Sequence, residues 1–137
     1  MRLVLLLLVA LLLAGCPVSD KYDDRGVPKT LAFQVSLYED IVRWGDLRKI
    51  HAFSKPMKEG EEPQPVSGMQ ALQNVRVTSY EASTPRELSP WRWGQNAVIN
   101  YVLVDRQVVK TVLDAQIWMS EDEGKTWYRS NPPPRFQ

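Results

Sequence analysis

Three kinds of hydrophobic pattern succeed one another along the chain. Behind Arg2 comes an unbroken apolar run, Leu3 to Ala14, 12 residues long. A polar stretch follows, residues 17–29 (PVSDKYDDRGVPK), with Gly26 and Pro28 as punctuation. From Leu31 to Asp46 the apolar positions then fall at helical spacing. Turning about 100° per residue puts Leu31, Phe33, Val35, Leu37, Tyr38, Ile41, Val42 and Trp44 on one arc of roughly 200°. Ser36, Glu39, Asp40, Arg43 and Asp46 occupy the other side, with Glu39 and Arg43 in the favourable four-residue order. So broad an arc exceeds what a helix needs to lie on a flat surface, and predicts that something wraps it. Phe33 and Val35 mark its margins and Ile41 lies near its centre, so all three are expected in the core. Gln34 also lies near the centre, where a buried amide must find partners or line a pocket.

Gly45-Asp46 ends this helix. The glycine suits a C-terminal cap, and Asp46 can cap a second short helix, Leu47 to Phe53. Lys55-Pro56 stops that one, and residues 56–68 (PMKEGEEPQPVSG) read as a loop. Beyond it the period drops to two. Val75, Val77 and Ser79 alternate with Arg76, Thr78 and Tyr80, and residues 97–104 (AVINYVLV) are branched and aromatic. From Val108 to Met119 the odd positions read Val, Thr, Leu, Ala, Ile, Met, while the even ones include Lys110, Asp114 and Gln116. That pattern predicts a buried odd face and a solvated even one. A short strand, Thr126 to Ser130, precedes Pro132-Pro133-Pro134. The length of the turn near Asp105-Arg106 decides whether Asn100 or Tyr101 points inward, because a one-residue slip exchanges the faces.

Helix, short helix and about four antiparallel strands make an α+β order. A curved antiparallel sheet cupping the long helix accounts for the wide arc. In that order, and in the sequence Val42-Arg43-Trp44-Gly45-Asp46-Leu47, the chain resembles the nuclear transport factor 2-like fold that ketosteroid isomerases share. The cystatin-like folds, also a helix embraced by an antiparallel sheet, are the nearest competitor. The resemblance implies a cone with an acidic base inside, a part Asp114 could take if its face turned inward. A pocket between Gln34, Tyr38 and Trp44 is the corresponding ligand site.

The apolar run at the start is too short to span a bilayer, which takes about 20 residues, but has the length of a signal-peptide core. It closes on Leu13-Ala14-Gly15-Cys16, which resembles the lipobox of bacterial lipoproteins. The resemblance implies cleavage before Cys16 and acylation of its thiol. The expected organisation is a signal peptide over 1–15, a lipidated tether over 16–29, one domain over 30–131 and a tail over 132–137. Pro17 stands where the resemblance implies that aspartate favours inner-membrane retention, which points to the outer membrane, on its periplasmic face. Cys16 is the only cysteine, so acylation leaves no thiol for a disulfide, a nucleophile or a metal. Lys and Arg total 17 against 16 Asp and Glu, so losing Arg2 with the signal leaves formal neutrality. That balance gives no reason to expect nucleic acid as a partner.

Ser120-Glu121-Asp122-Glu123-Gly124-Lys125-Thr126-Trp127 fits the Asp-box pattern of sialidases. It occurs once, in a chain too short for a propeller. Asp122 accepting backbone bonds, Gly124 taking a positive φ and Trp127 packing beneath therefore predict a hairpin turn. His51, the only histidine, has no neighbouring ligand type, so neither a metal nor a cofactor is expected. No nucleophile-elbow motif supports a catalytic triad, and no catalytic residue is assigned. The resulting expectation is a non-enzymatic outer-membrane lipoprotein with a binding or envelope-assembly role. The partners expected are the membrane, through acyl chains on Cys16, and an envelope protein, to which an exposed Trp91/Trp93 patch would offer a surface. The alternatives are a small apolar ligand held in the cone, or an isomerase- or dehydratase-type enzyme.

Overall fold

The computed structural model describes residues 26–61 and 68–137. The expected signal peptide, Cys16, the expected tether up to residue 25 and residues 62–67 of the central loop lie outside the described residues. The architecture is α+β. Helix α1 (Lys29–Trp44) is followed by two 3₁₀ segments, Leu47–Phe53 and Met69–Asn74. An antiparallel sheet then takes in β1 (Val75–Ala82), β2 (Arg86–Ser89), β3 (Arg92–Leu103), β4 (Val108–Met119) and the two-residue β5 (Tyr128–Arg129). Its order is β1-β3-β4-β5, with β2 beside β3. The sheet is open and does not close into a barrel.

The helix buries a narrower stripe than its sequence suggests. Leu31, Ala32, Val35, Tyr38 and Val42 are buried, while Phe33 is 68% exposed and Trp44 77% exposed. Ile41, near the centre of the arc, is only partly buried against the core. The 200° arc therefore divides in two. One half packs on the sheet, and the half around Phe33, Leu37 and Trp44 faces solvent. The expectation that both margins are covered fails, because the sheet meets the helix on one side only. Asp46 caps the following segment as expected, accepting from the Arg48 amide at 3.0 Å. Gly45 ends α1, but in an extended conformation (φ −96°, ψ −162°) rather than a left-handed one. Space favours glycine there: an added Cβ would stand a tight 3.0 Å from the Ile41 carbonyl oxygen.

The face assignment of β4 is reversed. Asp114, Gln116 and Trp118 are buried, whereas Val109 is 72% exposed and Leu113 62% exposed. Register explains the reversal. Leu103 pairs with Val108 around a turn that includes Gln107 at φ +52°, and Tyr101, Ile99 and Ala97 point inward opposite Lys110, Val112 and Asp114. Asn100 points outward, between Ser79 and Thr111. Strand β2 and the first half of β3 carry no apolar alternation, and the sequence does not announce them.

Candidate functional site

Asp114 lies in the middle of β4, and its inward side chain meets Arg129 from β5. The side chains are 1% and 0% exposed, respectively. The guanidinium grips the carboxylate through both terminal nitrogens, Nη2 to Oδ1 at 2.8 Å and Nη1 to Oδ2 at 3.1 Å. Tyr38 of α1 donates its hydroxyl to Oδ2 at 3.0 Å and accepts from Arg129 Nη1 at 2.6 Å. Gln116 Nε2 donates to Oδ2 at 3.1 Å and to the Tyr80 hydroxyl at 2.7 Å. The Trp118 indole in turn donates to Gln116 Oε1 at 3.0 Å. Phe53 and Trp118 stand edge-on to the Tyr38 ring at 5.2 and 5.7 Å, walling the cluster from water.

Burying a charge pair is tolerable only when the remaining hydrogen-bonding capacity is met, and here it nearly is. Four donors serve the two oxygens of Asp114. Burial first, then the Asp114 carboxylate, pushes the Tyr38 hydroxyl far above its usual range, so it remains a donor at any ordinary pH. Asp114 thus faces inward, as the isomerase resemblance requires, but both of its oxygens are hydrogen-bonded and it is paired with the buried Arg129 cation, which opposes its acting as a base. The arrangement acts as a clamp joining α1, β4 and β5.

On the other side of Arg129 lies a cleft of about 860 Å³ between the two 3₁₀ segments and the C-terminal residues. Ile50, Leu72 and Phe136 contribute apolar walls, and the charged or titratable side chains at its surface are His51, Lys55 and Arg135, with the buried Arg129 behind them. No carboxylate side chain lines it. Lys55 is bridged to Glu121 at 2.6 Å across the rim. Arg129 Nε is buried and has no hydrogen-bond acceptor among the described residues. Partial burial, then the charge of Arg129, lowers the His51 pKa, which favours its neutral form. Phe136 packs edge-on against Tyr101 at 5.1 Å, and the Tyr101 hydroxyl donates to the Gln137 oxygen at 3.0 Å, fixing the tail as the far wall.

The sequence-derived candidates scatter. Gln34 is half-buried, Tyr38 belongs to the clamp and Trp44 stands in solvent beneath Arg43, so they form no common pocket. The hairpin turn is formed as expected. Asp122 Oδ1 accepts from the Thr126 amide and the Ser120 hydroxyl at 2.8 Å each, and Oδ2 accepts from the Thr126 hydroxyl at 2.6 Å. These bonds, with the Thr126 hydroxyl first, hold the Asp122 carboxyl at about 2. Glu123 and Gly124 take φ +58° and +82°. Trp127 is buried and donates to the Thr30 hydroxyl at 3.0 Å, while that hydroxyl donates to the Gly124 carbonyl at 2.6 Å. The turn therefore seats the start of α1. Trp91 lies over Gly124 and Trp93 is buried, so the two tryptophans make no shared surface patch.

Arg129 is the residue that sequence reasoning missed. It sits next to a proline run in a two-residue strand, and nothing local marks it as the partner of Asp114. The usable signal was the mid-strand carboxylate itself, since a buried charge requires an opposite one. Among the described residues no group of three or more His, Cys, Asp or Glu side chains is placed to hold a metal ion. Compared with known protein families, curated proteins and solved structures, the chain matches none.

Proposed function

We propose that this chain is a non-enzymatic, lipid-anchored protein of the bacterial envelope, held on the periplasmic face of the outer membrane through Cys16, whose domain binds an amphipathic anion. The anchor rests on Leu13 to Cys16. The observation that carries the binding role is the cleft beside Arg129, with apolar walls and only basic or imidazole groups among its titratable side chains. The cationic Arg135 side chain on the cleft wall, which no carboxylate side chain of the lining opposes, favours a carboxylate or phosphate over a neutral ligand. The engagement of Asp114 by four donors favours a structural rather than a basic role for the only inward carboxylate of the sheet.

The test has two arms. Cys16→Ser should abolish incorporation of labelled palmitate; normal labelling of that variant overturns the anchor. For the cleft, laurate and dodecanol are titrated calorimetrically into the detergent-free protein. Laurate should bind saturably and dodecanol at least tenfold more weakly, and Arg135→Glu should weaken laurate without lowering the melting temperature. Equal binding of acid and alcohol, or an Arg135→Glu variant indistinguishable from wild type, overturns the anionic cleft.

A further inference from the structure

The outward face of the sheet is more apolar than a solvent face needs to be. Val98 is 41%, Val109 72% and Leu113 62% exposed, on a face whose other side already packs a complete core. Together with half-buried Val102 they expose apolar surface on the order of 300 Å², a size at which a patch on a monomer is often an interaction site. Register arranges this face in three cross-strand rows. The first is Arg76–Val102–Val109, the second Ser79–Asn100–Thr111 and the third Glu81–Val98–Leu113. The middle row is hydrogen-bonded within itself: Asn100 Nδ2 donates to Ser79 Oγ at 2.8 Å and Thr111 Oγ1 donates to Asn100 Oδ1 at 2.6 Å. Each of its three side chains is thus hydrogen-bonded within the row. Arg76 and Glu81 are exposed and lie at matching ends of the outer rows.

We propose that this face is a two-fold interface between two copies of this chain. The rows select the occupant. Take a two-fold axis along the middle row, perpendicular to the strands and in the plane of contact. It lays each strand antiparallel over its own copy. Val109 then faces the second copy's Leu113, Val102 faces its Val98, and Arg76 faces its Glu81, with the reciprocal contacts repeated. The self-bonded row falls on the axis and meets itself. A self-complementary patch of this kind is what an isologous contact requires, and two sheets stacked this way keep the aligned geometry of sheet-on-sheet packing, about 10 Å apart. The apolar odd face that the register turns outward on β4 is then covered by the second copy. An unrelated partner would not require the charges and apolar pairs to match under a two-fold.

The position on the axis gives a direct test on the full chain. Thr111→Cys, treated with a short bismaleimide in isolated membranes, should yield a crosslinked species of twice the chain mass. Wild type, whose only cysteine is Cys16, should not. In the Thr111→Cys background, Arg76→Glu or Glu81→Arg alone should reduce the crosslink by roughly tenfold or more, because each reversal opposes like charges. The double reversal should restore it, and Leu113→Lys should abolish it. Sedimentation of the detergent-extracted full chain reads the same charge series without an introduced cysteine, so a folding defect in Thr111→Cys does not protect the idea. Absence of a dimer, a charge pair whose double reversal fails to restore association, or an adduct of different mass each overturns it.

Discussion

Removing the carboxylate of Asp114 is the sharpest perturbation of the clamp. Asp114→Asn keeps the side chain's shape but leaves the Arg129 guanidinium, 0% exposed, without its countercharge and with one amide oxygen in place of two carboxylate oxygens beside the Tyr38 hydroxyl and the Pro132 carbonyl. Breaking one side of a buried ion pair costs about 3–5 kcal/mol, because the surviving charge stays desolvated. Domains of this size are stable by about 5–15 kcal/mol, so the loss takes about a fifth of the total or more. The corresponding fall in melting temperature is about 10–25 °C. Guanidinium denaturation followed by tryptophan fluorescence measures it, and the buried Trp118 indole is bonded to the clamp through Gln116. The midpoint should fall with the slope unchanged. Replacing the pair and its hydroxyl together, by Asp114→Leu, Arg129→Met and Tyr38→Phe, should recover most of the loss, since an apolar substitute of similar volume is often neutral. A loss below about 1 kcal/mol for Asp114→Asn would show that water reaches the pair and refute the clamp.

Two further outcomes follow from the core and the turn. Leu31→Ala should cost about 2–5 kcal/mol because the side chain is wholly buried, while Phe33→Ala should fall within about 0.5 kcal/mol of neutral; equal losses in chemical denaturation would mean that the outer side of α1 is covered after all. Asp122 has a folded pKa of about 2 against an ordinary 3.8, so its stabilisation is complete above about pH 4 and is lost as pH falls through 2. Asp46, held at about 2 by Arg48, acts with the same sign, so Asp122→Ala should flatten the acid limb of the stability curve only in part; an unchanged limb refutes the assignment.

The sequence predicts elements where residue chemistry is local. The end of α1 at Trp44, the Asp46 cap, the Leu47–Phe53 segment and the Asp122 turn are all set by neighbours within about four positions, and all appear as expected. Burial is less legible, because it depends on partners remote in sequence. The rule that the more apolar face is the buried one failed twice. On α1 it placed Phe33 and Trp44 in the core, and on β4 it placed Asp114 in solvent. In the second case the inward face is the polar one because Arg129, Tyr38 and Gln116 satisfy the carboxylate there. No pairwise pattern in the chain displays that closure in advance. Strand β2, exposed at every position, is held by its pairing with β3 and not by any preference of its own.

The clamp also fixes when the fold can be completed. Tyr38 and Arg129 are 91 positions apart, and the tail closes later still, when Gln137 reaches the Tyr101 hydroxyl. Emerging from its N-terminal side, the chain must deliver the 91 residues after Tyr38 before its site is complete. During that interval the helix can form and β1 can begin to collect apolar contacts, but Asp114 emerges with its countercharge still unmade. A buried position for it is then too costly to hold. The clamp therefore stays open until Arg129 is available, and locking follows the helix and the strands rather than growing outward from α1.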